Sequence, residues 1–146
     1  MPSVHPVALV TGGAVRVGRA ISLALADAGY DLVVHYHSSS GPARELRERV
    51  EALGRRCVLV GGDLGRPETA EELASTVRES FGRLDLLVNS AASFRSTHLL
   101  EVDAEEWDEV LNLNLRAPHL LVRACADLLR AGGGSVVNIA DHMGMK

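Results

Sequence analysis

The stretch from Val7 to Ala20, Val-Ala-Leu-Val-Thr-Gly-Gly-Ala-Val-Arg-Val-Gly-Arg-Ala, constrains this chain more than any other. Val7 to Val10 is a short apolar run without polar alternation, which predicts a strand covered on both faces. A glycine-rich turn follows, and Ile21 to Ala26 continues as an apolar helical run. Strand, glycine turn and helix are how a dinucleotide-binding βαβ unit begins. Glycine permits a tight turn and close approach to a pyrophosphate, and free N–H groups at the helix start meet it with partial positive charge. A tight turn in another α/β protein reads the same way over these residues alone, so the rest of the chain has to decide.

The remainder alternates. Gly29 predicts a left-handed helix end, and Asp31 to Tyr36 a second strand. Ser38 to Pro42 is turn material, with Pro42 near the first position of a helix running from Ala43 to about Leu53. Cys57 to Val60 predicts a third strand, Pro67 to Phe81 an amphipathic helix, and Leu84 to Asn89 a fourth strand. After a loop from Ser90 to Leu100, Asp103 is a good N-cap for a helix carrying Trp107, Val110 and Leu111. Leu113 to Leu129 reads as one long apolar helix in which Pro118 marks a boundary or a kink. Gly132 to Gly134 break it before a fifth strand at Ser135 to Ile139. Strands alternating with helices predict a parallel sheet with helices on both faces.

Composition narrows the classes. A chain of 146 residues with 47% hydrophobic and 23% charged side chains suits one α/β domain with a real core. The net charge of −4 argues against nucleic acid as a partner. No apolar run approaches the roughly 18–20 residues of a membrane span, and the first residues lack a basic signal region, so no membrane and a cytoplasmic location are expected. Cys57 and Cys125 lack metal-ligand spacing and are expected to be buried small hydrophobes. No metal is expected either, since His35 and His37 have no third ligand nearby.

Several spaced motifs carry a resemblance. Thr11-Gly12-Gly13-Ala14-Val15-Arg16-Val17-Gly18 resembles the T-G-x-x-x-G-x-G turn of the short-chain dehydrogenase/reductase family, with Arg16 where the middle glycine usually stands. Asp63-Leu64 resembles the family's adenine-holding segment, and Asn89-Ser90-Ala91-Ala92 its Asn-Asn-Ala-Gly segment, which supports the sheet and lines the cofactor. Asn114 in Asn112-Leu113-Asn114-Leu115 matches the asparagine of the catalytic tetrad, and Gly134 to Ile139 the strand that leads to the catalytic serine. The resemblance spans the whole chain. It implies a doubly wound Rossmann-type α/β sheet of order 3-2-1-4-5, hydride transfer with a nicotinamide cofactor, and a homo-oligomer, dimer or tetramer, formed through the 113–129 helix.

Within the family the chain resembles pteridine reductases. Arg16, the run His35-Tyr36-His37, Ser93-Phe94 and Asp141 in the serine's place carry that resemblance, and Phe94 would stack a flat ring. It implies reduction of a pterin or dihydrofolate-like substrate, with a 3-oxoacyl thioester or another carbonyl compound as the alternative. Asp141 would serve a ring nitrogen.

The cofactor follows from charge. An NAD site wants a carboxylate at the end of the second strand, and His35 to Ser40 contain none. Arg16, His37 and Ser39 suit a 2′-phosphate, so NADPH is expected, although Ser38 stands where the subgroup often has arginine. A methyltransferase on a similar sheet is a further reading, disfavoured by the same missing acid.

The family's Tyr-x-x-x-Lys pair, the proton donor and its lysine, has no counterpart. Tyr30 and Tyr36 fall in the first half of the fold, and Lys146 has no tyrosine four residues before it. The expectation is therefore a cofactor-binding portion truncated at its C-terminus, inactive alone, from a longer reductase. The remaining alternative is a catalytically dead nucleotide-binding module.

Overall fold

The structure, a computed structural model, describes residues 2–141. Five strands, β1 (Val7–Val10), β2 (Asp31–Tyr36), β3 (Cys57–Gly61), β4 (Leu86–Asn89) and β5 (Ser135–Asn138), form one parallel sheet in the order β3-β2-β1-β4-β5. The register places Val7 beside Asp31, Leu32 beside Cys57, Ala8 beside Leu86 and Leu86 beside Ser135. Every connection is a helical crossover, as parallel pairing requires. The expected order of strands is the one found.

Alternation along the strands divides the core in two. Val7, Leu9, Val33 and Leu87 face helix α3 (Pro67–Phe81), with Leu73, Val77 and Phe81, and helices α5 (Ala117–Ala124) and α6 (Ala126–Gly132), with Leu121 and Leu128. Ala8, Leu32 and Val34 face helices α1 (Arg16–Asp27) and α2 (Ser40–Ala52), with Ala26, Leu46 and Val50. Both faces of the central strands are thus dry, which is why Val7 to Val10 carry no polar residue. Cys57 and Cys125 lie in these two layers as free cysteines. Burial pushes their thiols up to about 12 and about 11, so neither is a nucleophile near neutral pH.

Two expectations need correction. Helix α2 starts at Ser40 rather than Ala43, which puts Pro42 third in the helix, where an N–H would still lack an intrahelical partner. The long helix expected over 113–129 is three pieces, a π-helical turn (Asn112–Arg116), α5 and α6, with Cys125 as the joint between the last two; the π turn runs on directly from α4 (Ala104–Leu111). Pro118 sits at the start of α5, next to the π turn, where a missing N–H does least harm. Asp103 caps α4 as expected, its carboxylate accepting from the Glu106 N–H at 2.8 Å.

α4 buries none of its residues, and Trp107, Leu111, Leu115 and Val122 are exposed along the α4–α5 surface. β5 is an edge strand whose Val136 and Val137 are both exposed. Among the described residues no helix is long and apolar enough to cross a membrane.

Two local devices hold the sheet. At the strand starts, Asp85 accepts from the Val7 N–H at 2.8 Å and from Arg83 Nε and Nη2 at 2.9 and 2.6 Å. At the strand ends, Gly18 in the first turn of α1 presses against Gly12. A Cβ on Gly18 would overlap the Gly12 carbonyl oxygen and lie 2.8 Å from its carbon. Gly18→Ala is therefore expected to destabilise the fold by about 3 kcal/mol or more, read as a lower urea midpoint. For Asp85, partial burial raises the pKa, but the hydrogen bonds from Arg83 and Val7 and the Arg83 charge outweigh it and leave a net depression. A depressed carboxylate contributes stability above its unfolded pKa of about 4 and loses it as pH falls through the folded value. Unfolding curves from about pH 5 downward should thus show a shallower acid decline in Asp85→Asn than in the parent chain.

Candidate functional site

The C-terminal ends of β1, β2, β4 and β5 meet in one crevice, at the point where the chain leaves β1 for one face of the sheet and β4 for the other. The glycine turn forms its floor. Gly12 takes a left-handed φ of +57°, and Arg16 takes φ 52°, making it the one non-glycine among the described residues in that region. The residue standing where the family has glycine thus adopts the conformation glycine would favour. Arg16 and Val17 are exposed at the start of α1, and the Val15 N-cap offers no side-chain acceptor. The first N–H groups of α1 therefore open onto the crevice with the partial charge of a helix N-terminus.

Below the turn lies a frame of neutral hydrogen bonds. Thr11 is buried, and its Oγ1 accepts from the Ser90 and Ala91 N–H groups at 3.0 and 3.1 Å, tying β1 to β4. Asn89 is buried and donates from Nδ2 to Asn138 Oδ1 at 2.8 Å, tying β4 to β5. His35 is 2% exposed; its Nδ1 lies 3.2 Å from the Gly12 N and its Nε2 2.8 Å from the Gly62 carbonyl. Burial lowers the pKa of His35, opposed by the Gly62 hydrogen bond and helped by neighbouring His37, with Asp63 opposing. Thr11, His35 and Asn89 were expected to line a cofactor. The polar side-chain bonds they make run into the protein, so they shape the crevice from beneath.

Other expected residues reach the surface. His37 is exposed, 3.4 Å from the Gly62 carbonyl. Ser38 is exposed, and the partly exposed Ser39 precedes α2 without capping it. The Tyr36 ring lies over Gly61, where a Cβ would meet its Oη at 3.0 Å. Asp63 is exposed and accepts from the Gly65 N–H at 2.8 Å, while Leu64 is buried. No carboxylate lies between His35 and Ser40.

The other end of the crevice is built by the π turn. Asn114 accepts from the Ser93 N–H at 2.9 Å and donates to the Ser93 carbonyl at 2.8 Å, a two-point grip on the loop after β4. Beside this grip a cavity of about 300 Å³ is lined by Ser93, Phe94, Trp107, Val110, Leu111 and Asn114, among others. Phe94 is 89% exposed at its edge. Thr97 donates to Glu106 at 2.6 Å, and Arg95 pairs with Glu109 at 2.5 Å, fastening the loop to α4. Periodicity assigned Trp107 and Leu111 to a helix face but gave no sign that they border a cavity. Asp141 is exposed just beyond β5. Lys146 lies outside the described residues, as do all positions after 141.

Comparison with known proteins agrees with this geometry. Residues 6–146 match the family described as short chain dehydrogenase. The chain is 33% identical over 134 residues to an L-rhamnose 1-dehydrogenase (NAD(P)(+)) of a Sphingomonas species, covering 90% of this chain and 53% of that protein. It is 36% identical over 140 residues to a 3-oxoacyl-[acyl-carrier-protein] reductase of Synechocystis, covering 95% and 57%. Among solved structures, a short chain dehydrogenase from Burkholderia cenocepacia in complex with NADP is similar with a TM-score of 0.86 at 37% identity, over 90% of this chain and 53% of that one. A blue fluorescent protein from a metagenomic library in complex with NADPH gives 0.90 at 31%, over 97% and 57%. The chain spans about half the length of these relatives. The methyltransferase reading falls with the family match, and the chain belongs to the short-chain dehydrogenase family.

Proposed function

We propose that this chain holds NADPH across its glycine turn and is the nucleotide-binding part of a reductase acting on a pterin or dihydrofolate-like ring. The observation that carries the cofactor reading is Arg16. A non-glycine residue kept at left-handed φ costs about 1 kcal/mol, and here it sets a guanidinium at the mouth of a helix N-terminus. A guanidinium there suits a 2′-phosphate, and the acid-free run His35 to Ser40 leaves nothing to repel it. His37, Ser38 and Ser39 complete the phosphate end, and Asp63 with Leu64 the adenine end. The Burkholderia and metagenomic structures, with NADP and NADPH bound, support the same choice. NADPH, when bound, supplies the hydride.

At the opposite end, Phe94 offers a flat apolar plate beside Ser93, and the Asn114 grip sets the height of that loop. Asp141 is the acid for a ring nitrogen. A carbonyl substrate is the second reading, favoured by the oxoacyl reductase of Synechocystis. The chain's two tyrosines are both far in sequence from Asn114, Tyr30 packed in the α1–α2 layer and Tyr36 over Gly61. These 146 residues alone are accordingly expected to bind cofactor without turning it over.

Fluorescence titration tests the cofactor. NADPH should bind at least tenfold more tightly than NADH, and Arg16→Gly should weaken NADPH roughly tenfold or more with little effect on NADH. The same variant should unfold at a higher temperature, because glycine relieves the left-handed strain. Equal binding of NADPH and NADH by the parent chain would refute the phosphate site. For the substrate, dihydrobiopterin should bind the NADPH-loaded chain and lose roughly tenfold in affinity in Phe94→Ala. Binding of a 3-oxoacyl thioester in its stead would favour the carbonyl reading.

A further inference from the structure

We propose that His35 is a positioning strut whose neutral ring sets the distance between the glycine turn and the loop after β3, and that protonating its Nδ1 frees the Gly12 N–H and weakens nucleotide binding in acid. The second half of this inference rests on the nucleotide-binding reading above.

The imidazole bridges two segments that come from different crossovers. One ring nitrogen meets Gly12, 23 residues before it, and the other meets Gly62, 27 residues after it. The donors and acceptors allow one arrangement. A backbone N–H can only donate, so Nδ1 is an acceptor without a proton; a carbonyl can only accept, so Nε2 carries the proton and donates it. The main chain of His35 adds a third tie, its carbonyl accepting from the Gly13 N–H at 3.0 Å. Two successive N–H groups of the turn are thus held by one residue. A proton on Nδ1 would set two donors against each other at the point where the turn has least freedom. Gly12 is confined on its other sides: a Cβ on it would lie 3.0 Å from Ala91 Cα, and Gly18 presses on its carbonyl. A shift of Gly12 therefore reaches the start of α1, where a pyrophosphate would lie.

The charged and titratable groups around the ring are few. His37 faces it from the end of β2 and opposes a second positive charge, and Asp63 faces it from the loop after β3 and favours one. The glycine turn contributes Arg16, which is exposed. Burial of the ring keeps its pKa below the ordinary histidine value, the Gly62 hydrogen bond pulling the other way. The strut is therefore intact at neutral pH and opens only in acid.

The test uses the whole 146-residue chain. Nitrogen-15 NMR should find His35 as the Nε2–H tautomer at about pH 7.5, with the Gly12 amide resonance moving on acidification at the midpoint of the His35 ring. In His35→Asn, whose Oδ1 replaces Nδ1 and takes up no proton, the Gly12 amide should not titrate. An Nδ1–H tautomer, or a Gly12 amide that stays still while His35 titrates, would overturn the strut without any nucleotide present. NADH, which lacks a titrating 2′-phosphate, then reports the consequence. Its dissociation constant should rise roughly tenfold from about pH 7.5 to about pH 5 in the parent chain. It should rise less than about twofold in His35→Asn. The same rise in His35→Asn as in the parent would refute the coupling. Failure of the parent to bind NADH or NADPH at any pH would instead refute the nucleotide-binding reading and the coupling with it, while the Gly12 titration alone would still decide the strut.

Discussion

The contact between Gly18 and Gly12 is the constraint on which the rest of the site depends. It brings the first turn of α1 down onto the end of β1 with no side chain between them. The helix N-terminus thereby points into the crevice at the sheet's switch point rather than over its rim. Any residue with a Cβ at position 18 would lift the helix, and the groups that α1 presents would move with it. Gly13 is squeezed in the same way, since a Cβ on it would lie 2.9 Å from Ser22 Oγ. The turn is therefore a packing solution as much as a flexible link. The next sharp bend, at position 16, is made by arginine at the conformational cost that glycine avoids. A cost accepted at an exposed position has no packing return, so its return has to be sought in what the guanidinium meets outside the protein.

Strand and helix placement was legible because burial on both faces leaves an unmistakable pattern. Val7 to Val10, Asp31 to Tyr36 and Gly29 marked their elements nearly to the residue. The π turn was not legible. Its residues Asn112 to Arg116 have ordinary helical composition, and the single residue by which a π turn exceeds an α turn leaves no mark on apolar spacing. Yet that extra residue is what allows Asn114 to face the loop at Ser93 while Ala117, Leu121 and Cys125 stay on the core side. A continuous α-helix could serve one of those demands or the other.

The site residues divide by the same logic. Arg16, His37 and Ser39 could be picked from charge and position and Asp63 and Phe94 from the family resemblance, and all of them are at least partly exposed. Thr11, His35 and Asn89 looked equivalent to them in sequence but became the frame, Thr11 and His35 because their polar atoms meet backbone groups that converge from separate segments, and Asn89 because its carboxamide donates to that of Asn138 on the next strand. Which of two such residues faces a ligand is decided by what neighbouring strands leave unsatisfied, and that information sits some 25 to 80 residues away in the chain.

The distribution of charge along the strands fits the proposed nucleotide site. The carboxylates built into the sheet, Asp31 and Asp85, stand at the strand starts. There Asp31 accepts from Ser3 Oγ and the Arg56 N–H, and Asp85 from Arg83 and the Val7 N–H. The strand ends perform the same stitching with a hydroxyl, a neutral imidazole and two carboxamides. Carboxylates would bind the backbone N–H groups that Thr11 and His35 hold more strongly, so bond strength does not explain the choice. A negative charge under the glycine turn would cancel the field of the α1 N-terminus and repel any phosphate held there. Neutral stitching keeps that field intact and accepts a weaker frame at the end of the sheet proposed to hold the nucleotide.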